Sequence, residues 1–381
     1  MKRLACCFSY LPNFTRMLYN VIGLMSGSSL DGLDIAYVQL QETAGRWNFE
    51  ILHADCYPYS SEWASRLSAS MSLSAIDYLQ LHSDYGHYTG QQVNRFIKTY
   101  QLEHQVHLVA SHGHTSFHYP ASQLTAQLGD GAAIAAETGL SVVSDLRAMD
   151  VAFFGQGAPL VPTGEKHLLG QYKYLLNIGG IANLSIKKNN QYFAFDVCAA
   201  NRVLNMLVAE LGLEYDDNGK LAASGSLDPG LLLELNKLSY YGQGYPKSLD
   251  NGFGVDTVFP IIIKYALTVP DALHTYAEHI AEQIFHAVKN ISGEEERLPA
   301  EMLITGGGAF NGFLVGRLQQ LLASQQITIV IPGKELIQYK EALIMGLLGV
   351  LRWREEYTVM SSVTGASRNS IGGALWLGGD A

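Results

Sequence analysis

Three glycine-rich segments follow apolar runs and have the composition of phosphate-binding turns. They are GLMSGSSLDGLD at 23–34, NIGGIANLS at 177–185 and ITGGGAFN at 304–311. Glycines there permit positive φ and let backbone N–H groups approach phosphate oxygens. None of the three is a Walker loop or a G-x-G-x-x-G fingerprint. Alone, the first two could be ordinary hairpin turns, but the recurrence of the pattern favours a phosphate clamp with two sides.

The polar and glycine positions of these segments are the candidate ATP-binding residues. Asp31 and Asp34 cannot bind phosphate directly, but their carboxylates could hold Mg²⁺ or its waters. The full candidate set is Gly27, Ser28, Ser29, Asp31, Gly32, Asp34, Asn177, Gly179, Gly180, Gly306, Gly307, Gly308 and Asn311.

A single carboxylate stands out as a candidate general base. Asp196 follows the apolar run 193–195 and immediately precedes a predicted helix. Partial desolvation at such a strand end raises a carboxyl pKa towards that of a general base. A structural alternative is a carboxylate favoured by the helix dipole, and both roles can hold at once.

Two polar segments are candidates for binding a sugar. SHGHTSFHYP at 111–120 contains His112, His114 and Thr115, and its three histidines are spaced H-x-H-x3-H. No carboxylate or cysteine falls at ligand spacing nearby, so a polar sugar-binding loop is favoured over a metal centre. In 145–162, Asp145 and Arg147 could bind hydroxyls and a carboxylate. A structural salt bridge between them, followed by a crossover loop, is the alternative.

The order of predicted elements repeats along the chain. Strands at 18–25, 34–41 and 49–56 are followed by a helix at 82–99 and a strand at 106–111, and a similar order recurs from 174 onwards. This repeat predicts two related α/β domains with a cleft between them. We place the first domain at 17–145 plus 372–381, the second at 146–371, and a non-structural extension at 1–16.

Composition narrows the class of protein. The 381 residues, 48% of them apolar, are enough for two cores. A formal charge of −10 disfavours nucleic acid and anionic membranes as partners. Four cysteines without a CxxC pair predict a reducing, cytoplasmic setting, and no apolar run is long enough to span a bilayer.

Taken in order, these segments resemble the anhydro-N-acetylmuramic acid kinase family. The resemblance extends from about Val21 to Gly373. It is carried by MSGSSLDGLD, SHGHTSFHYP, QLGDGAAIAAETG, VVSDLRAMDVA, GQGAPLVP, NIGGIANLS, FDVCAAN, AASG, PKS, GGGAFN and SVTGAS. It implies a two-domain actin/hexokinase-like ATPase fold with duplicated β-meander/α units and MgATP in the cleft.

The resemblance also implies a reaction and roles for residues. Water attacks the anomeric carbon of 1,6-anhydro-N-acetylmuramic acid, and the freed O6 takes the γ-phosphate of ATP. The product is N-acetylmuramic acid 6-phosphate, which is used in cell-wall recycling. Asp196 is then the base, the loop 27–34 binds the ATP phosphates, and Glu341 borders the sugar beside His112, His114, Thr115, Asp145 and Arg147.

Four positions depart from the family pattern. Residues 198–200 read Cys-Ala-Ala where the family has Gly-Pro-Gly, and His114 replaces a glutamine. Ala148 replaces a second arginine, and 163–165 read Thr-Gly-Glu in place of an aromatic/His segment. These positions bear on the substrate side, so two alternatives stay open: a kinase for another anhydro or amino sugar, and a non-catalytic ATP-gated sugar sensor. A homodimer is a further expectation.

Overall fold

The structure is a computed structural model that describes residues 17–27, 29–188, 191–245, 247–250, 252–292 and 299–379. The predicted extension at 1–16 and the candidate phosphate ligand Ser28 lie outside these residues. Within the described ranges, no helix is long and apolar enough to cross a membrane.

The first sheet forms from the apolar strands of the N-terminal half. Its order is β12-β6-β4-β1-β2-β3, with β5 paired to β4. Strands β1, β2 and β3 are an antiparallel meander, whereas β4 runs parallel to both β1 and β6. The strands are β1 (Met17–Ser26), β2 (Gly32–Thr43), β3 (Arg46–Pro58), β4 (Leu108–Tyr119), β5 (Leu124–Leu128), β6 (Val142–Ser144) and, from the C-terminus, β12 (Ala374–Trp376).

The second sheet repeats this plan. Its order is β11-β10-β7-β8-β9. Strands β7, β8 and β9 form an antiparallel meander, and β10 runs parallel to β7 and β11. The strands are β7 (Tyr174–Ile178), β8 (Ile181–Lys188), β9 (Gln191–Ala199), β10 (Ala300–Thr305) and β11 (Ile327–Val330). With β5 and β12 left out, the first sheet runs β3-β2-β1-β4-β6 and the second runs β9-β8-β7-β10-β11. Both paths therefore follow the order 3-2-1-4-5, which confirms the duplicated actin/hexokinase-like fold.

Helices cover both sheets. Helix α2 buries Tyr85, Val93 and Phe96 at helical spacing, and Ser74 caps its start by accepting from the Asp77 N–H. The helices are α1 (Ser61–Ser68), α2 (Ala75–Tyr100), α3 (Gly131–Thr138), α4 (Ala148–Ala152), α5 (Val161–Leu168), α6 (Asn201–Ala209), α7 (Lys220–Ser224), α8 (Pro229–Asn236), α9 (Phe259–Lys264), α10 (Val269–Ser292), α11 (Gly312–Ala323), α12 (Lys334–Trp353) and α13 (Ser361–Thr364).

Helix α12 joins the two halves. Its apolar residues share one core with Val21 and Val38 of the first sheet and with Leu175 and Leu303 of the second. Gly23 makes this close approach possible, because a Cβ there would lie 1.9 Å from the carbonyl oxygen of Ala342. The helix thereby brings its first turns to the space between the sheets.

The predicted domain ranges stay a prediction, although two packing facts bear on them. Strand β12 pairs with β6, so the C-terminal segment joins the first sheet as we expect. Helix α12 falls within the second predicted range but packs on β1, β2 and β4 of the first sheet.

One predicted loop is a strand. We predicted a strand at 106–111 followed by a polar loop at 111–120, but β4 continues to Tyr119. This extension pairs with β5, where His114 lies opposite Leu128 and Thr115 opposite Gln127. The Ser116 hydroxyl donates to the carbonyl of Ala126 at 3.1 Å. Cross-strand bonds of this kind let a polar segment form a strand at the rim of a sheet.

Candidate active site

A cavity of about 730 Å³ lies between the two sheets. Its wall is built from β7, β8 and β9, from helix α12, and from the segments around 112, 147, 156–165 and 363–365. Five predicted site residues meet in this wall: His112, Arg147, Asn177, Asp196 and Glu341. The fold thus brings residues as far apart in sequence as His112 and Glu341 to one space.

Asp196 is held by hydrogen bonds to both carboxylate oxygens. The side-chain amide of Asn183 on β8 donates to Oδ1, and the N–H of Leu249 donates to Oδ2 at 2.8 Å. Burial raises the pKa of Asp196 above its usual value, and the two donors partly offset that rise. The carboxylate therefore has a fixed orientation and is more basic than that of a free aspartate.

The backbone of Asp196 is fixed as well. Its N–H donates to the carbonyl of Lys247 at 3.3 Å, and the Tyr240 hydroxyl donates to its carbonyl at 2.6 Å. The ammonium of Lys247 lies 4.4 Å from the centre of the Tyr240 ring. The segment around 247–249 thus positions the carboxylate, a role that we did not predict from the PKS motif.

The predicted place of Asp196 at a strand end is wrong. Strand β9 continues to Ala199, and helix α6 begins only at Asn201. The effect of a helix dipole is confined to its first turn, so the dipole alternative does not apply to Asp196. Burial and hydrogen bonding set its pKa instead.

His112 and Arg147 form a neutral–cationic pair in the wall. The Nδ1–H of His112 donates to the carbonyl of Gly113 at 2.9 Å, so Nε2 is the acceptor for the Arg147 Nε–H, also at 2.9 Å. Burial first, and then Arg147, lower the pKa of His112 to about 3. Arg147 also donates to the carbonyl of Gly157 at 3.0 Å. The structural alternative of a salt bridge between Arg147 and Asp145 is wrong, because Arg147 bonds to His112 and Gly157 instead.

Glu341 adds a negative charge to this wall from α12. Burial raises the pKa of Glu341, while Lys340 and Arg147 lower it. The charge of Glu341 in turn counters the effect of burial on Arg147, whose pKa falls to about 10. Arg147 and Glu341 therefore bring a basic and an acidic side chain to the same part of the cavity wall.

The first glycine-rich turn lies beyond Met25, which lines the cavity. Asp31 accepts from the Ser29 hydroxyl at 2.7 Å and from the Gly32 N–H at 3.1 Å. Burial raises the pKa of Asp34 to about 6, with further contributions from Asp31 and Glu341. This turn therefore concentrates negative charge at the end of β1.

The glycine-rich turns of the second half lie at the ends of β7 and β10. Gly306 has a φ of +79°, and a Cβ there would lie 2.7 Å from the carbonyl oxygen of Ile178. A Cβ at Gly307 would meet the side-chain amide of Asn201 at 3.3 Å. The turn at Gly179 and Gly180 accepts the N–H groups of residues 200 and 201. Close backbone packing therefore accounts for part of this glycine content.

Asn311 has a structural partner. Its side chain caps helix α11 by accepting from the Leu314 N–H at 3.0 Å. Asn177, in contrast, lines the cavity and accepts from the Thr305 hydroxyl at 3.3 Å.

Three predicted sugar ligands do not line the cavity. His114 is buried, and its Nδ1 lies 3.0 Å from the Ser26 hydroxyl. Thr115 lies in β4, and Asp145 is exposed with a φ of +54°. His118 does line the cavity, and its Nδ1 lies 3.1 Å from the Thr125 hydroxyl. The three histidines thus have separate partners, and no group of three metal-binding side chains occurs among the described residues.

The paired 3-2-1-4-5 sheets and the charged cavity between them define a two-domain enzyme of the actin/hexokinase-like class. A family model described as anhydro-N-acetylmuramic acid kinase matches residues 19–378. The chain belongs to this family. Membership makes it a kinase that uses ATP and a sugar substrate.

Two curated relatives agree with this assignment. The chain is 32% identical to the anhydro-N-acetylmuramic acid kinase of Francisella tularensis subsp. novicida, over 93% of this chain and 97% of that protein. It is also 32% identical to the enzyme of that name from Vibrio parahaemolyticus, with the same coverage. The solved structure of an activator of 2-hydroxyisocaproyl-CoA dehydratase from Clostridium difficile, with bound ADPNP, is 14% identical over 89% of this chain and 96% of that chain, with a TM-score of 0.41.

Proposed function

We propose that this chain opens 1,6-anhydro-N-acetylmuramic acid with water and phosphorylates its O6 from ATP. The observation that carries the proposal is the carboxylate of Asp196 in the cavity wall, with raised pKa and a donor on each oxygen. Family membership supplies the substrate class, because the relatives are named for this sugar.

Asp196 acts as general base on the attacking water. It takes one proton as the water oxygen bonds to the anomeric carbon, and the bond from that carbon to the bridging O6 breaks. O6 then accepts the γ-phosphoryl group, and ADP leaves with the electron pair of the broken phosphoanhydride bond. The products are N-acetylmuramic acid 6-phosphate, ADP and one proton, so atoms and charge balance. The hydrogen bonds from Asn183 and Leu249 hold the carboxylate in one orientation for proton transfer.

The turn at 27–34 and the facing turns at 179–180 and 306–308 would hold the ATP phosphates. Asp34 would hold Mg²⁺, since its pKa of about 6 reflects burial beside two other carboxylates and a cation would relieve that charge. When bound, Mg²⁺ neutralises charge on the phosphate oxygens. Asp31, which is bonded to Ser29, shapes the turn.

Arg147, His112 and Glu341 would hold the sugar. The muramic acid carboxylate is the natural partner of a guanidinium, and Nη2 of Arg147 carries two N–H donors beyond its bonds to His112 and Gly157. His112 stays neutral at physiological pH and orients Arg147. Glu341 accepts from a sugar hydroxyl.

The setting follows from the same proposal. We place the enzyme in a reducing cytoplasm, with no nucleic acid or membrane partner, because its net charge is −10 and its cysteines show no CxxC pair. A homodimer remains part of the proposal.

A coupled ADP-release assay over a sugar panel tests this function. We expect ADP release with 1,6-anhydro-N-acetylmuramic acid and none with N-acetylglucosamine or N-acetylmuramic acid. Release with a reducing amino sugar alone would replace this substrate with another. Thermal stabilisation by sugar and ATP without any ADP would instead indicate the non-catalytic sensor.

A further inference from the structure

A buried ion pair joins α5 and α12 at the cavity wall. The ammonium of Lys340 donates to Oε1 of Glu165 at 2.8 Å. Glu165 is 2% exposed and Lys340 is 3% exposed, and both line the cavity. Gly164 permits this contact, because a Cβ there would lie 2.6 Å from the Ile344 side chain of α12.

The second carboxylate oxygen of Glu165 has no hydrogen-bond partner in the part of the chain that the structure describes. Oε2 is buried and makes no hydrogen bond to any described residue. An unsatisfied buried charged oxygen costs folding free energy, and such groups occur where a ligand or water completes the bonding. The comparable buried carboxylate of Glu278 has both oxygens bonded to Arg317, at 2.7 and 2.8 Å. The Glu165–Lys340 pair therefore differs from the Glu278–Arg317 pair in leaving one carboxylate oxygen, among the described residues, free to bind a ligand.

Glu165 lies on α5, which packs against β9, the strand that carries Asp196, and both carboxylates line the cavity. The charge of Glu165 contributes to the raised pKa of Tyr192 near the start of β9. Tyr192, Ala194 and Asp196 alternate onto one face of β9, so Tyr192 and Asp196 are about 13 Å apart along the strand. A sugar with its anomeric carbon at Asp196 therefore occupies the cavity that Glu165 also lines.

We propose that Glu165 is a specificity-determining residue whose Oε2 accepts a hydrogen bond from a hydroxyl or amide N–H of the sugar. This inference rests on the proposed function for the orientation of the sugar. The terminal torsion of a glutamate is broad, so the carboxylate can turn towards the donor while Lys340 keeps its bond. The anhydro sugar offers two donors for this bond, the 4-hydroxyl and the acetamido N–H.

Three substrates and two variants test the proposal. The substrates are the parent anhydro sugar, its 4-deoxy analogue, and its analogue with acetoxy in place of acetamido. The variants are Glu165→Gln and the double variant Glu165→Gln/Lys340→Met, which leaves no unpaired buried cation. We expect the double variant to raise KM for the parent about 10- to 100-fold, the loss for one bond to a buried charged acceptor.

The analogues give a readout that a structural role would not move. One of the two analogues lacks the donor that bonds to Glu165. With the wild type, the KM for that analogue should be as high as the KM of the double variant for the parent sugar. The double substitution should not raise the KM for that analogue any further. The KM for ATP should stay unchanged. Glu278→Gln, in the fully bonded pair outside the cavity, is the matched control and should leave all three sugar KM values unchanged.

Two results would overturn the proposal. Equal losses for all three sugars, or a lowered melting temperature with unchanged sugar KM, would make Glu165 structural. If the wild type shows no turnover of the parent, the proposed function fails separately, and calorimetric binding of the three sugars then decides on Glu165. Equal affinity of wild type and double variant for the parent would refute its role.

Discussion

Each half of the molecule carries a partly buried aspartate whose pKa is raised, but their surroundings differ. Asp196 in the second sheet has a hydrogen-bond donor on each oxygen. Asp34 in the first sheet has the Cys56 thiol as a hydrogen-bond partner, and the charges of Asp31 and Glu341 add to the effect of its burial. The two meanders share one topology, so the difference comes from the groups that surround each carboxylate.

This difference assigns two kinds of chemistry to the halves. A carboxylate fixed by donors can take a proton from a water held in one place. A carboxylate crowded by negative charge is stabilised by a cation. In the proposed function, the duplicated fold therefore supplies two similar scaffolds, and local electrostatics assigns proton transfer to the second half and metal and phosphate binding to the first.

The largest expected effect is the loss of the base. Asp196→Asn keeps the shape of the side chain but removes its basicity, so kcat should fall by about 10²- to 10⁴-fold. The Kd for ATP and the melting temperature should stay close to wild type. Asp216→Asn is the matched control, since Asp216 accepts the N–H groups of Leu221 and Ala222 outside the cavity. Wild-type turnover in Asp196→Asn would remove the base from this account and leave Glu341 as the next candidate.

The second largest effect is expected for Asp34→Asn, which should weaken MgATP binding but increase the stability of the ligand-free protein. Asp34→Asn should weaken MgATP binding about tenfold or more, because a charged ligand for the cation is lost. The same change should stabilise the ligand-free protein at pH 7 by roughly 1–2 kcal/mol, because the ionised carboxylate is disfavoured in the fold. Calorimetric ATP titration and urea unfolding measure the two.

The pH dependence of that stability follows from the raised pKa. In the folded state Asp34 titrates at about 6, above its ordinary value of 3.8. The loss of folding stability caused by ionised Asp34 is therefore full above pH 6 and disappears as the pH falls towards 4. The stability gain of Asp34→Asn should shrink over this window. A gain that is independent of pH, or a loss of stability at pH 7, would contradict the contrast with Asp196.

The smallest expected effect sharpens the role of the donors. Asn183→Ala removes the bond to Oδ1 of Asp196, so the pKa of that carboxyl should rise further. The acidic limb of the kcat/KM profile should then move to higher pH by roughly one unit or less. A limb that stays in place would show that Asn183 does not control the base.

The sequence predicted the architecture better than the site. Apolar runs and helical spacing predicted the meander of the first sheet, its recurrence from 174 onwards and helix α2, because burial alone specifies those patterns. The polar part of β4 was predicted as a loop, since its strand form depends on pairing with β5 rather than on its own composition.

Among the site residues, glycine turns and Asp196 stood out because local context marks them. Asn183 was visible in its motif, but its bond to Asp196 depends on the β8–β9 register. Lys247 lies in the PKS motif and Glu165 in the departure at 163–165, but neither pattern indicates what the side chain contacts. Lys340 carries no local signal, and only the fold brings it to the cavity. The predicted places of His114 and Asp145 in the sugar site were not met, because a motif does not specify which face of a strand end points to the cleft.

The central claim is that water enters the product at the anomeric carbon while phosphate comes from ATP. Brief turnover of the anhydro sugar in H₂¹⁸O, followed by mass spectrometry of the product and its fragments, tests this directly. The account predicts one ¹⁸O atom on the anomeric carbon and none in the phosphate group. Label in phosphate, or a phosphorylated product without label on the sugar, would contradict it.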